Sequence, residues 1–199
     1  MSEHAALALM EAREDMEPLR QGELDGLCGL YAILNTVRLL AYPDRHLHPI
    51  QTRKLFKRGI EVLADRQELK IALAEGMQSG MWEMLCQALS FEIHSITGFR
   101  LRRRSVFASK IGVTPSGIAK AIRYHLDHGR PVLAVLGGKY NHWTVIAGYS
   151  RHRLHLFDSY GYCWINARSL TLDEHLTNRA HLLNVDTTIA VERVADEEN

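Results

Sequence analysis

The change in hydrophobic periodicity along the sequence is the feature that most constrains how this chain folds. Apolar residues recur at helical spacing through most of the first 130 residues, a pattern typical of amphipathic helices. Later, the pattern changes to short apolar runs that are separated by glycine, proline and charged turns, which is typical of strands. Helices first and strands later predict an α+β fold and not an alternating βαβ fold.

The same periodicity predicts where the individual helices and strands lie. In the segment 28–40, the apolar side chains of Leu30, Ile33 and Val37 fall on one stripe of a predicted helix. Further helices are predicted over 49–63, 66–74, 80–89 and 115–128. Strands are predicted over 131–136, 142–149, 154–158, 162–165 and 188–194. A polar link at 150–153 joins two of these strands, which predicts an antiparallel hairpin.

Composition excludes several classes of protein. Hydrophobic residues make up 46% of the 199 residues, enough for one core and too many for a disordered chain. The net charge is only +1, so we expect no nucleic-acid partner. No apolar run approaches the roughly 20 residues of a membrane helix, and we expect no membrane partner. The sequence gives no indication of the oligomeric state.

The N-terminal segment does not look like a secretory signal, because its short apolar stretch has acidic flanks. We therefore expect a cytoplasmic protein, although secretion by a route without a classical signal would leave no trace in the sequence. We expect a single domain over 1–195. It comprises an N-terminal extension (1–17), a mainly helical half (18–130) and a β half (131–194), and a disordered tail follows at 196–199.

Cys28 is the first candidate for chemistry. It lies between Leu27 and Gly29, where a loop turns into the predicted helix 28–40. A thiol at a helix N-terminus faces unpaired N–H groups and the positive end of the helix dipole, and both favour the nucleophilic thiolate. Taken alone, Cys28 is equally well interpreted as a buried structural cysteine.

Two polar residues of the predicted hairpin can serve that thiol. His142 begins one strand and Asp158 ends the next, sixteen positions later. The ends of an antiparallel hairpin lie side by side, so Asp158 can accept a hydrogen bond from the His142 ring and fix its tautomer. Asp158 also suits a role as the cap of the turn that follows it. Asn141 is a second choice for orienting the ring, but adjacent strand residues point to opposite faces.

Gln21 is the fourth candidate, in a glycine-containing loop seven positions before Cys28. An amide N–H of Gln21 can join the Cys28 backbone N–H in stabilising an oxyanion.

The chain order of Gln, Cys at a helix start, His on a strand and Asp on the next strand resembles that of papain-like cysteine peptidases. The local signature differs, because DGLCGLY lacks the second cysteine and the aromatic residue after the nucleophile. The Gln-to-Cys gap is one residue longer, and the 114-residue gap between Cys28 and His142 is shorter than in papain and cathepsins.

The sequence is more similar to compact bacterial members, the C39-like or double-glycine-peptidase-like family. This similarity spans residues 18–166 and rests on Cys28-Gly29, the segment 129–135 (GRPVLAV) and the hairpin 142–158. It implies a papain-like α+β fold in which the nucleophile helix packs on a C-terminal antiparallel sheet, with the active site in a cleft.

The resemblance also implies an activity, that of a thiol protease which cleaves a peptide or isopeptide bond in a protein or peptide substrate. Cys28 would be the nucleophile, His142 the base, Asp158 its orienting partner and Gln21 an oxyanion donor. No cofactor is implied. The paired histidines at 46/48, 125/128 and 152/155 match no zinc spacing, so we expect no metal.

Other interpretations stay open at this point. The same thiol chemistry supports acyl transfer or deamidation, and a catalytically inactive protein of the same fold would be a protein-binding module.

The basic cluster of Arg100, Arg102, Arg103 and Arg104 suggests a solvated face or hairpin, or a contact for an acidic protein substrate near the cleft. Cys86 and Cys163 lie in apolar windows, and we expect a core role for Cys86 and core or half-buried packing for Cys163.

Overall fold

The computed structural model describes residues 2–23, 25–42, 44–107, 114–138, 140–172 and 181–195. Within these ranges, helices and an eight-stranded sheet share one hydrophobic core and form an α+β fold, as the order of the periods predicts. The predicted disordered tail at 196–199 lies outside the described residues.

The helices of the described residues run mainly through the first two thirds of the chain. They are α1 (Ser2–Asp15), α2 (Cys28–Ala41), α3 (Pro49–Asp65), α4 (Leu69–Glu75), α5 (Ser79–Ala88), α6 (Ser90–Thr97) and α7 (Pro115–Asp127). Helix α2 is central, since only Tyr31 and Arg38 among its residues are not fully buried. None of the described helices combines the length and the apolar character that a membrane crossing requires.

The strands form one mostly antiparallel sheet. They are β1 (Phe99–Ser105), β2 (Val132–Gly138), β3 (His142–Tyr149), β4 (Arg153–Leu156), β5 (Trp164–Asn166), β6 (Leu170–Thr171), β7 (His181–Leu183) and β8 (Ile189–Ala195). Their order is β1-β8-β2-β3-β4-β5, while β7 also pairs with β2 and runs parallel to β6. Helix α2 packs on the central strands β2 and β3, which places its N-terminus beside the hairpin of β3 and β4.

The hairpin of β3 and β4 contains a one-residue irregularity. Close to its turn Gly148 pairs with His155, but further along Ile146 pairs with Leu156, so β3 has one extra residue between these pairs. This is the geometry of a β-bulge, which changes the alternation of faces along the longer strand.

The bulge places Asp158 on the same face of the hairpin as His142. The register beyond the bulge sets Asp158 opposite Thr144, and residues 142 and 144 of one strand point to the same face. Without the bulge, the register would set Asp158 opposite Val145, whose side chain points to the other face.

Two segments add detail to the predicted division of the chain. Within the mainly helical half, the arginine-rich segment 99–105 forms β1 and pairs along its whole length with β8. An edge strand needs only one packed face, and Phe99 and Leu101 supply it on either side of Arg100. The predicted N-terminal extension contributes to the core, because Leu9 and Ala12 of α1 are buried there.

Candidate active site

Cys28 is the first residue of α2, at the end of the helix where backbone N–H groups lack helical partners. Leu27 precedes it and provides no side-chain cap. Among the described residues, the first-turn N–H groups of Cys28 and Gly29 have no acceptor, so they are available to a ligand. The thiol itself is buried, with 7% of the residue exposed.

Two glycines allow neighbouring segments to approach Cys28 closely. A Cβ atom on Gly26 would lie 2.1 Å from the Ala72 carbonyl oxygen, which is backbone and cannot move aside. A Cβ atom on Gly29 would lie 3.0 Å from Cε of Met77. The glycines on either side of Leu27-Cys28 are therefore required by packing around the thiol.

Met77 joins the start of α2 to the strand that carries His142. Its sulfur accepts a hydrogen bond from the Leu30 backbone N–H at 3.2 Å. Its carbonyl accepts one from the indole N–H of Trp143 at 2.8 Å. Because Trp143 adjoins His142 in β3, Met77 helps to fix the thiol and the imidazole relative to each other. No pattern in the sequence indicates this role, since it depends on packing between distant segments.

His142 and Asp158 make the hydrogen bond that the hairpin predicts. The distance between Nε2 of His142 and Oδ2 of Asp158 is 2.8 Å, and both residues are buried. The Cys28 thiol is close enough to the ring to raise the pKa of His142, while its Sγ donates to the Gly26 carbonyl at 4.0 Å. Since Nε2 faces Asp158, Nδ1 is the ring nitrogen left for the thiol. The structure therefore brings Cys28, His142 and Asp158 together.

The second carboxylate oxygen of Asp158 caps the turn that follows. Oδ1 accepts hydrogen bonds from the backbone N–H groups of Tyr160, Gly161 and Tyr162 at 2.8, 3.0 and 3.2 Å. The two roles that the sequence suggested for Asp158 are thus not alternatives, because each oxygen takes one of them. Bonds to both oxygens fix the plane of the carboxylate and, through it, the His142 ring.

Electrostatic contacts stabilise the charged forms of both groups. Burial alone would lower the pKa of His142, but the hydrogen bonds and charges of Asp158 and Cys28 raise it to about 9. Burial alone would raise the pKa of Asp158, but the hydrogen bond and charge of His142 lower it. The buried Thr144 hydroxyl acts on the Asp158 pKa in the same direction. Near neutral pH the pair is therefore an imidazolium and a carboxylate.

Gln21 lies beside the turn after Asp158. Its backbone N–H donates to the Ser159 carbonyl at 3.0 Å, and its side-chain oxygen accepts from the Ser159 hydroxyl at 3.5 Å. Its side-chain amide donates to the Asp25 carbonyl, so one amide N–H is used within the loop. The contacts of Gln21 among the described residues are with Asp25 and Ser159 and not with Cys28, so its oxyanion role stays a prediction. The structure thus ties the Gln21 loop to the end of β4.

Two tyrosines flank the His142 ring and a third contacts one of them, and none of the three is identified from the sequence. The ring centroids of Tyr160 and Tyr162 lie 5.7 and 6.0 Å from that of His142, and Tyr140 lies 4.9 Å from Tyr162. Tyr160 is 54% exposed. Their proximity in the sequence could have identified them, because all three lie within four residues of His142 or Asp158.

The other two cysteines differ in their burial. Cys86 is half-buried and packs against the core rather than within it, and burial raises the pKa of its thiol to about 12. The prediction for Cys163 is wrong, because Cys163 is exposed. Strand β5 begins only at Trp164, so Cys163 lies in the preceding turn, where its thiol contacts the Gly161 carbonyl at 3.6 Å.

The arginine cluster lies on β1, and β8 and β2 separate that strand from β3. Alternation along β1 divides the cluster between two faces. Arg102 and Arg104 pair with Glu192 at 3.6 and 2.7 Å, whereas the guanidinium carbon of Arg103 lies 6.0 Å from the Trp82 ring centroid. These arginines therefore do not act as one basic patch.

Within the described part of the chain, no group of three or more His, Cys, Asp or Glu side chains is placed to hold a metal ion. Comparison of the chain with protein-family models, with curated proteins and with solved structures finds no match. The chemistry of the site follows instead from the contacts among Cys28, His142 and Asp158.

Proposed function

We propose that this protein is a papain-like cysteine peptidase that cleaves a peptide or isopeptide bond through Cys28, His142 and Asp158. The observation that carries the proposal is the buried hydrogen bond between His142 and Asp158 beside the Cys28 thiol. Nε2 of His142 lies 2.8 Å from Oδ2 of Asp158, and Cys28 is close enough to the ring to raise the pKa of His142. A nucleophile, a base and an orienting carboxylate in contact are the parts that covalent thiol catalysis needs.

The first half of the reaction uses the thiol and the ring. His142 holds the proton taken from Cys28, and the sulfur attacks the substrate carbonyl carbon. As the C–S bond forms, the π electron pair moves to the oxygen, which the Cys28 backbone N–H and the free Gln21 amide N–H stabilise. The C–N bond then breaks, and His142 gives its proton to the leaving amine.

The second half returns the enzyme to its starting state. His142 removes a proton from water, and the oxygen of that water attacks the thioester carbon. The C–S bond breaks, the acid is released and His142 returns the proton to the thiol. Asp158 keeps its charge throughout and stabilises the imidazolium whenever it forms.

Two features of the fold support the papain-like assignment. The nucleophile begins a buried helix, and this helix packs on the antiparallel sheet that carries the base. The orienting carboxylate comes from the end of the next strand of the same sheet.

The test uses Cys28→Ala as a trap. The variant protein is incubated with the proteome of its own cells, and the retained proteins are identified by mass spectrometry. We expect the wild-type chain to cleave the retained protein and Cys28→Ala to bind it without cleavage, while Cys163→Ser behaves as wild type. Products are also analysed with an added amine, because acyl transfer would give an amide adduct in place of the free acid. Cleavage that persists in Cys28→Ala would overturn the proposal.

A further inference from the structure

A cavity of about 330 Å³ lies between helices α2 and α5 and the β1 end of the sheet. None of Cys28, His142 and Asp158 lines it. Its volume falls in the range of small-molecule binding sites, and the proposed peptidase reaction makes no use of it.

The lining of the cavity is apolar in one part and polar in another. Three lining side chains are buried and apolar, namely Ile33, Leu133 and Val191. Three others are polar and exposed, namely Gln87, Ser90 and Arg103. A molecule that fits both parts has an apolar body and one polar end.

The cavity is lined by one buried donor without an acceptor and by one guanidinium without an ion-pair partner among the described residues. Trp82 is 1% exposed, and among the described residues its indole N–H has no acceptor. The Arg103 guanidinium has no carboxylate within 4.0 Å in the described ranges, whereas Arg102 and Arg104 share Glu192 on the opposite face of β1. A buried N–H without a partner is costly, and a guanidinium above an indole ring attracts an anion.

We infer that this cavity binds a small amphipathic carboxylate of the medium-chain alkanoate type. The alkyl chain packs against the buried apolar residues, and the carboxylate accepts hydrogen bonds from Arg103 and from the Trp82 indole N–H beside it. Binding is non-covalent, because an unactivated carboxylate does not react with the Cys86 thiol in the wall. The inference does not depend on the proposed peptidase activity, since the two sites share no residue.

The test is a titration of the full chain with octanoate, followed by calorimetry and by the NMR shift of the Trp82 indole N–H. Octanol serves as the neutral probe. We expect saturable octanoate binding that shifts the Trp82 signal, and octanol binding at least about tenfold weaker, the effect of a lost charged hydrogen bond. Arg103→Gln should weaken octanoate binding by a similar factor. Arg102→Gln, on the same strand but the opposite face, should leave binding unchanged within twofold.

Three results would overturn the inference: no shift of the Trp82 signal up to the solubility limit of octanoate, equal binding of octanol and octanoate, or equal binding by wild type and Arg103→Gln. The comparison of the two probes uses the wild-type chain and needs no variant to fold. Leu101→Trp, which fills the cavity from its wall, should abolish the shift, while thermal unfolding verifies that this variant is folded.

Discussion

Nε2 of His142 lies 2.8 Å from Oδ2 of Asp158, although sixteen positions separate the two residues in the chain. The contact depends on the backbone register of the hairpin, because the bulge in β3 brings both side chains to one face. A buried carboxylate that is hydrogen-bonded to a buried imidazole, with a thiol beside the ring, links the fold to a specific and testable chemistry.

Asp158→Asn should change the pH dependence of turnover. The substitution removes the charge that holds the pKa of His142 at about 9, so the pKa of His142 should fall and the alkaline limb of the rate profile should move to lower pH. We expect kcat to fall by roughly two to four orders of magnitude. The profile of kcat/KM against pH measures both effects. Asp127→Asn is the matched control, since Asp127 is an aspartate that accepts a hydrogen bond from Tyr149 at the surface, and its profile should match that of wild type.

His142 should also contribute to stability in a defined pH window. Its folded pKa of about 9 lies above the ordinary value of ~6.5, so the folded state holds the proton more tightly than the unfolded state. The contribution of His142 is complete below pH ~6.5 and is lost as the pH rises through 9. The difference in free energy of unfolding between wild type and His142→Asn should therefore shrink across this window in denaturant titrations. A difference that grows with pH would contradict the assigned protonation.

Gly26→Ala should destabilise the fold around the thiol. The added Cβ would lie 2.1 Å from the Ala72 carbonyl oxygen, and the overpacking should cost about 1–3 kcal/mol. Gly80→Ala is the matched control, because a Cβ there meets nothing within 4 Å and the residue lies in helix α5. We expect Gly80→Ala to keep or raise the melting temperature. Equal melting temperatures for the two variants would show that the close approach at Gly26 is not required.

Tyr160→Ala should affect substrate binding more than bond cleavage. Tyr160 is 54% exposed and its ring lies 5.7 Å from that of His142, so a peptide that reaches Cys28 would pass it. KM should rise roughly two- to tenfold, as expected for the loss of one aromatic contact, with kcat little changed. Tyr124→Ala removes a tyrosine of similar exposure from α7 and should leave KM unchanged. A fall in kcat with constant KM would instead give Tyr160 a role in positioning His142.

The sequence predicts the elements whose signals are local. Three such signals lie within single segments: the helical period of α2, the proline at the start of α3 (Pro49) and the alternation around the β3–β4 turn. They predict the positions of Cys28, His142 and Asp158 in the fold. Strand β1 is not predicted, because four arginines interrupt the apolar alternation of its sequence and its packed face forms only when β8 pairs with it.

The supporting residues of the site could not be predicted for a similar physical reason. Met77 acts through packing between distant segments, and Thr144 and the bulge in β3 depend on the register of the hairpin. A one-residue bulge is decided by competing registers of the whole sheet, and no short pattern in HWTVIAGY marks it.

The most direct test of the central claim is the rate of alkylation of each cysteine by iodoacetamide, followed by peptide mass spectrometry between pH 5 and 9. Cys163 is an exposed internal standard, whereas Cys28 is 7% exposed. If His142 activates Cys28, the buried thiol reacts faster than the exposed one at pH 6–7, and His142→Gln abolishes that advantage while Cys163 reacts as before. A Cys28 that reacts more slowly than Cys163, or at a rate that His142→Gln leaves unchanged, would contradict the account.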